Sequence, residues 1–222
     1  MSFPFGVPTL QDSPSLRVEV LADAVLGGFV GRGLDLLSPQ EASTLEVRRV
    51  LDGASELIRL SPTLSSTVHT VAKSIHLLRQ DDPSIDVSFS DPEIPFSIFV
   101  SVCPNANLAS YRLAEAIIHE AMHLQLTLIE KTVPLLKDGS ATFYSPWKQT
   151  ERPASGLLHA LYVFGVINEW LELLVEAGLG EHYAVERRAA IASEIELVDA
   201  MSLKYELSFD GLRLMERLVR QR

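Results

Sequence analysis

Over most of the chain, apolar residues recur at helical spacing. Between 15 and 30 they fall at Leu16, Val20, Leu21, Ala24 and Val25, before glycines at 27, 28, 31 and 33 end the pattern. Those glycines match neither dinucleotide-binding nor P-loop spacing, so they read as a helix end. Ser38-Pro39-Gln40-Glu41 is a helix start, with an N-cap serine, proline at the first position and glutamate three residues on. It predicts a helix to about Leu60, and Ser61-Pro62 predicts another to about Leu78 that carries His69 and His76 as packed or surface side chains. No Gly or Pro stands between Asn105 and Pro134, which predicts a long helix from about 106 to 132. Further helices are predicted over 154–178, 180–202 and 206–220.

Two stretches depart from that rhythm. Residues 85–90 alternate apolar and polar with period two, and Phe96-Ser97-Ile98-Phe99-Val100-Ser101-Val102 is rich in β-branched and aromatic residues. They predict one small antiparallel hairpin that turns near Asp91-Pro92-Glu93 and lies beside the long helix. Residues 133–153 read as a long aromatic loop, which in a compact domain is functional or disordered. The fold class expected is therefore mainly α: a helical domain with one metal-binding helix and one small β-hairpin.

That helix contains His119-Glu120-Ala121-Met122-His123, an HExxH pattern. Residues four apart lie one above the other on a helix, so His119 and His123 can present two imidazoles to one ion. Glu120 stands about 100° round the helix, within reach of a ligand on that ion. A catalytic metal needs a third protein ligand and open positions besides. His159, in the next apolar helix, is the first candidate, and Glu169 on the same helix is the alternative. Tyr162, three residues from His159, shares its face and reads either as a core tyrosine or as a hydrogen-bond donor to a bound oxygen.

Composition narrows the partners. A formal charge of −10, from 19 basic against 29 acidic residues, disfavours nucleic acid and anionic membranes, which need basic patches. The one cysteine, Cys103, leaves no intramolecular disulfide and suits a reducing cytoplasm. Neither a signal peptide nor a transmembrane segment is expected, and His182 reads as a surface residue.

The block HEAMHLQLTLIE, followed by YSPWKQTERPASGLLHALYVF and preceded by VSFSDPEIPFSIFVSV, resembles the HEXXH-motif family of 2-oxoglutarate-dependent peptide β-hydroxylases. These are tailoring enzymes of ribosomally made peptides. The likeness covers about 70–175, the core of an expected single metalloenzyme domain over 1–222, with helical flanks at 15–60 and 180–220. It implies Fe(II), 2-oxoglutarate and O2 as reactants, a precursor peptide as substrate, and His119, His123 and His159 as iron ligands. Such iron must accept a 2-oxo acid and O2 together, which three protein ligands allow. The distal carboxylate of 2-oxoglutarate needs a cation, and Arg152 is the candidate. Lys148 stands where an arginine is expected after Ser145-Pro146-Trp147.

The competing expectation is a zinc metallopeptidase with Glu120 as general base on metal-bound water. The longer HExxHxxGxxH pattern is missing, since Leu126 and Ile129 occupy its last two positions.

Overall fold

The computed structural model describes residues 17–19, 21, 27, 34–91, 94–137 and 141–220. The chain forms two compact units, Met1–Leu124 and Gln125–Arg222. The boundary falls inside one continuous helix. The helix expected over 15–30 lies largely outside the described residues; Arg17–Val18, within it, forms a short strand, β1.

The first unit alternates helices with a small mixed sheet. After β1 come α1 (Pro39–Ala42), α2 (Leu45–Arg59) and α3 (Pro62–Val71). The strands β2 (Ser74–Arg79), β3 (Ser88–Ser90) and β4 (Ser97–Val102) follow. The sheet order is β1-β2-β4-β3, with β1, β2 and β4 parallel and β3 antiparallel to β4 at the edge. Helix α4 (Ala109–Glu130) leaves the end of β4 and carries the HExxH pattern.

Each boundary has a local cause. Ser38 and Glu41 close a capping box in which Ser38 N donates to Glu41 Oε2 at 2.9 Å. The single helix expected over 38–60 is broken at Ser43-Thr44, where both hydroxyls turn back on the preceding turn, to Pro39 O and Glu41 O. Thr44 then caps α2 by accepting from Val47 N at 3.4 Å.

The helix expected to run on to Leu78 stops at Val71, because Ala72 turns to extended backbone (φ −106°, ψ 106°). Residues 74–79 form β2 instead, and His76 sits in a strand. This corrects the expectation, and the reason is burial. Ile75, His76, Leu77 and Leu78 are all buried, so β2 is covered on both faces and shows no period-two alternation. The expected hairpin is present as β3–β4, but it belongs to a four-stranded sheet rather than standing alone.

The sheet has two distinct faces. Ser74, His76 and Leu78 align with Ser97, Phe99 and Ser101 on one. There His76 and Phe89 each stack on Phe99 at 4.7 Å, and Leu36 and Ile94 pack against the Leu78–Phe99 cluster. The other face presents Ile75, Leu77, Ile98 and Val100, with Ser88 beside Val100. It is the face turned to α4, as the Ser88–Glu120 hydrogen bond shows.

The second unit is helical around α5 (Ala154–Glu176), with α6 (Glu181–Glu196), α7 (Ala200–Leu203) and α8 (Phe209–Arg220). By length and composition α5 is apolar enough to cross a membrane. Its apolar residues, among them Leu157, Leu161, Ile167, Trp170 and Leu174, are instead the buried core of this unit.

The segment 133–153, expected as a loop, contains a second hairpin, β5 (Thr142–Ser145) with β6 (Thr150–Pro153). Gln149 takes the left-handed conformation its turn needs (φ 51°). Trp147 stacks on Phe164 of α5 at 5.1 Å and pins the hairpin to the helix.

Candidate metal centre

Helix α4 buries Leu113, Ile117, Ile118, Ala121, Met122 and Leu126. That apolar stripe leaves His119 and His123 half-buried on another face, one turn apart. Their rings meet edge to face, with centroids 4.8 Å apart and planes at 69°. Two imidazoles one helical turn apart are the residue types and spacing used by metal-binding histidine pairs.

Glu120 between them is 4% exposed. Ser88 Oγ of the edge strand donates to its Oε1 at 2.8 Å. A buried carboxylate needs such donors, and this one is fixed in direction by the strand opposite. A second clasp holds the same segment. Arg112, in the first turn of α4, grips Asp86 through Nε and Nη2, both at 2.8 Å, and also donates to Pro83 O. The bidentate geometry fixes the approach of β3 to the helix.

In the second unit, His159 of α5 meets Glu130, the last residue of α4. His159 Nε2 lies 2.9 Å from Glu130 Oε2, with side-chain exposures of 16% and 24%. The other carboxylate oxygen, Glu130 Oε1, is buried and has no hydrogen-bond partner among the described residues. An ionised carboxylate only accepts, so in this contact His159 Nε2 is the donor.

Tyr162 donates to Gln125 Oε1 at 2.7 Å. Burial raises the Tyr162 phenol above its ordinary range, and the nearby Glu169 carboxylate adds to the rise. The hydroxyl therefore stays protonated and a donor at neutral pH.

Arg152 is exposed on β6, where it pairs with Phe143, and its side chain runs beside Gly156 at the start of α5. Glu169 is exposed, and His182 pairs with Glu186 on the surface.

His119 and His123 supply one pair of imidazoles on α4. Among the described residues, no group of three or more His, Cys, Asp or Glu side chains is gathered to hold one ion. A separate cleft of about 330 Å³ opens where β2 and β4 end, lined by Arg79, Cys103 and Asn105 among others, and it contains none of the motif residues. There Arg79 is neutralised by Asp35 at 2.7 Å and Glu41 at 2.5 Å, and this contact holds the Glu41 carboxyl down at about 2.

Three contributors escaped sequence reasoning: Ser88, Glu130 and Gln125. Ser88 lies on a period-two strand, so its face was readable once the strand was assigned. Glu130 terminates an apolar run, which is a weak signal. Gln125 carries none. Compared with known protein families and with curated protein sequences, the chain matches no family model and no curated sequence.

Proposed function

We propose that the protein is an Fe(II)- and 2-oxoglutarate-dependent oxygenase that hydroxylates the β-carbon of a residue in a ribosomally made precursor peptide. The observation that carries a metal-dependent reaction is the His119–His123 pair, 4.8 Å between ring centroids, flanking a buried Glu120. The choice of an oxygenase rests on the sequence resemblance. Its three blocks fall on β3–β4, on α4, and on the β5–β6 hairpin with the start of α5.

In this reading His119, His123 and His159 would hold the iron. Iron with 2-oxoglutarate and O2 supplies the oxidising power, which no side chain can. The chain's own residues bind and orient. Arg152 takes the distal carboxylate of 2-oxoglutarate. Tyr162, whose hydroxyl donates to Gln125 Oε1 in this structure, would turn that donor to a bound oxygen. Glu120, steered by Ser88, accepts one from a bound group. Among the described residues β3 pairs only with β4, so its outer edge can take an extended peptide by strand addition beside Glu120. The single Cys103, with no partner for an intramolecular disulfide, suits work in the reducing cytoplasm.

The test is succinate release from 2-oxoglutarate under O2, with added Fe(II) and a candidate peptide, together with the peptide's gain of one oxygen in mass. Alanine at His119, His123 or His159 is expected to abolish both and to weaken metal binding. A variant His159→Ala that keeps full metal occupancy, with Glu169→Ala losing it, would move the third ligand to Glu169.

One observation favours a second reading, a zinc metallopeptidase. Glu120 is buried and its Oε1 accepts from Ser88 Oγ, which orients the carboxylate a general base would need. Peptide cleavage with Zn2+ that ignores 2-oxoglutarate would establish it in place of the first.

A further inference from the structure

We infer that the cleft where β2 and β4 end is a binding site for an organic cation on an alkyl stem, of the kind a lysine or arginine side chain carries. The cleft lies wholly within the first unit and contains none of the motif residues, so it stands or falls apart from both enzymatic readings.

Position, charge and lining carry it. The strands β2 and β4 run parallel side by side, and the space beyond the carboxyl ends of such strands is where open α/β sheets hold ligands. A volume of about 330 Å³ is that of a small-molecule site. Among the described residues that line it, Arg79 is the one cation, and it is already engaged. Its Nε donates to Asp35 Oδ2 at 2.7 Å and its Nη1 to Glu41 Oε1 at 2.5 Å. Two carboxylates on one guanidinium leave an excess of negative charge. Asp81, exposed at the cleft, adds to it and has no ion-pair partner among the described residues. An anion is therefore repelled. A hard metal ion is also unsuited, since it needs several oxygens converging on it. Both oxygens of Glu41 are taken, Oε1 by Arg79 and Oε2 by Ser38 N and Oγ. Leu37, Val47 and Val102 offer apolar wall to a methylene stem, while Asp81 and Asn105 offer oxygens to its charged head. A basic residue of a peptide and a free alkyl amine share this chemistry.

The experiment uses the full chain, whose one cysteine is a built-in reporter because Cys103 lines the cleft. N-acetyl-lysine methylamide is titrated in at low salt, beside its uncharged norleucine analogue and n-pentylamine. With the lysine compound, backbone amide resonances are expected to shift saturably at Arg79–Asp82 and at Val102, Cys103 and Asn105. Alkylation of Cys103 by iodoacetamide is expected to slow in parallel. The norleucine analogue, which lacks the charge, is expected to bind about fivefold more weakly, and added salt to weaken the lysine compound. Asp81→Asn is expected to weaken it by about two- to fivefold. Asp52→Asn, exposed on α2 and outside the cleft, is expected to leave it unchanged. Tighter binding of the lysine compound than of pentylamine assigns the site to a peptide side chain, and equal binding assigns it to a free amine; both keep the cation site. Norleucine binding as tight as that of the lysine compound overturns it. So does an equal loss in Asp81→Asn and Asp52→Asn, or a titration that leaves the cleft resonances unmoved.

Discussion

His76 shows how much a single residue depends on its surroundings. It is fully buried between Phe99, on which it stacks, and the Glu19 backbone carbonyl, which lies 3.0 Å from Nδ1. Ser74 Oγ stands 3.4 Å from Nε2, and Ser74 in turn bonds Ser97 across the sheet at 2.7 Å. Burial lowers the ring's pKa below 6.5, against smaller opposing effects of the Glu19 carbonyl and charge. The folded state thus prefers the neutral ring. Its contribution to stability is whole above 6.5 and is lost as pH falls through 6.5 toward the lower folded value. His76→Phe keeps the stack but removes the titration. It is expected to be about 1 kcal/mol less stable at neutral pH, from the lost hydrogen bonds. It is also expected to show a shallower fall in stability as pH drops below 6.5, read by urea unfolding at a series of pH values. An unchanged slope would mean that His76 takes up its proton equally in the folded and unfolded chain. At this scale the sequence offered a histidine among apolar neighbours and left its environment open between helix packing and surface. The stack on Phe99 needed the sheet.

At the scale of elements, local chemistry was readable wherever caps and turns set it, as at Ser38-Pro39 and Ser61-Pro62. It failed where two structures suit one pattern, as in 74–79. The junction between 134–136 and α8 is an element contact that no pattern announces. Leu136 bridges Leu207, Ser208 N donates to Leu135 O at 2.9 Å, and Ser208 Oγ donates to Pro134 O at 2.6 Å. Gly211, in the first turn of α8, is what lets this backbone approach. A methyl group there would stand 2.0 Å from Leu135 O and 2.9 Å from its carbonyl carbon. Backbone cannot swing away as a side chain can. Although alanine suits a helix better than glycine, Gly211→Ala is expected to destabilise the protein by about 1–3 kcal/mol through this overpacking. The urea midpoint of the variant checks it, and a variant as stable as the wild type would show that α8 can shift off the 134–136 segment at no cost.

For the whole molecule, the two proposed readings differ in whether the reaction needs an anionic co-substrate. The test that separates the two enzymatic readings therefore belongs here. An anionic co-substrate needs a paired cation, and Arg152 is the candidate although it is exposed in this structure. Arg152→Ala is expected to raise the 2-oxoglutarate concentration for half-maximal succinate release on the order of tenfold, the effect of losing a charge-assisted hydrogen bond, with metal still bound. Glu120→Gln is expected to reduce this turnover only in part, whereas in a peptidase it would remove hydrolysis altogether. An unchanged 2-oxoglutarate dependence in Arg152→Ala removes that residue from the site.

The sequence by itself determined the helical character, the position of the motif helix, the β3–β4 pairing and the i, i+4 placement of the two histidines. All of these follow from short-range spacing, which the backbone's own periods enforce. Tertiary structure alone decided that 74–79 is a strand, because a run buried on both faces carries no period. It alone decided that Ser88 holds Glu120 across 32 residues, and that Glu130 meets His159 across 29. Partners so far apart are chosen by which faces of separate elements are packed together, and residue spacing along the chain does not encode that choice.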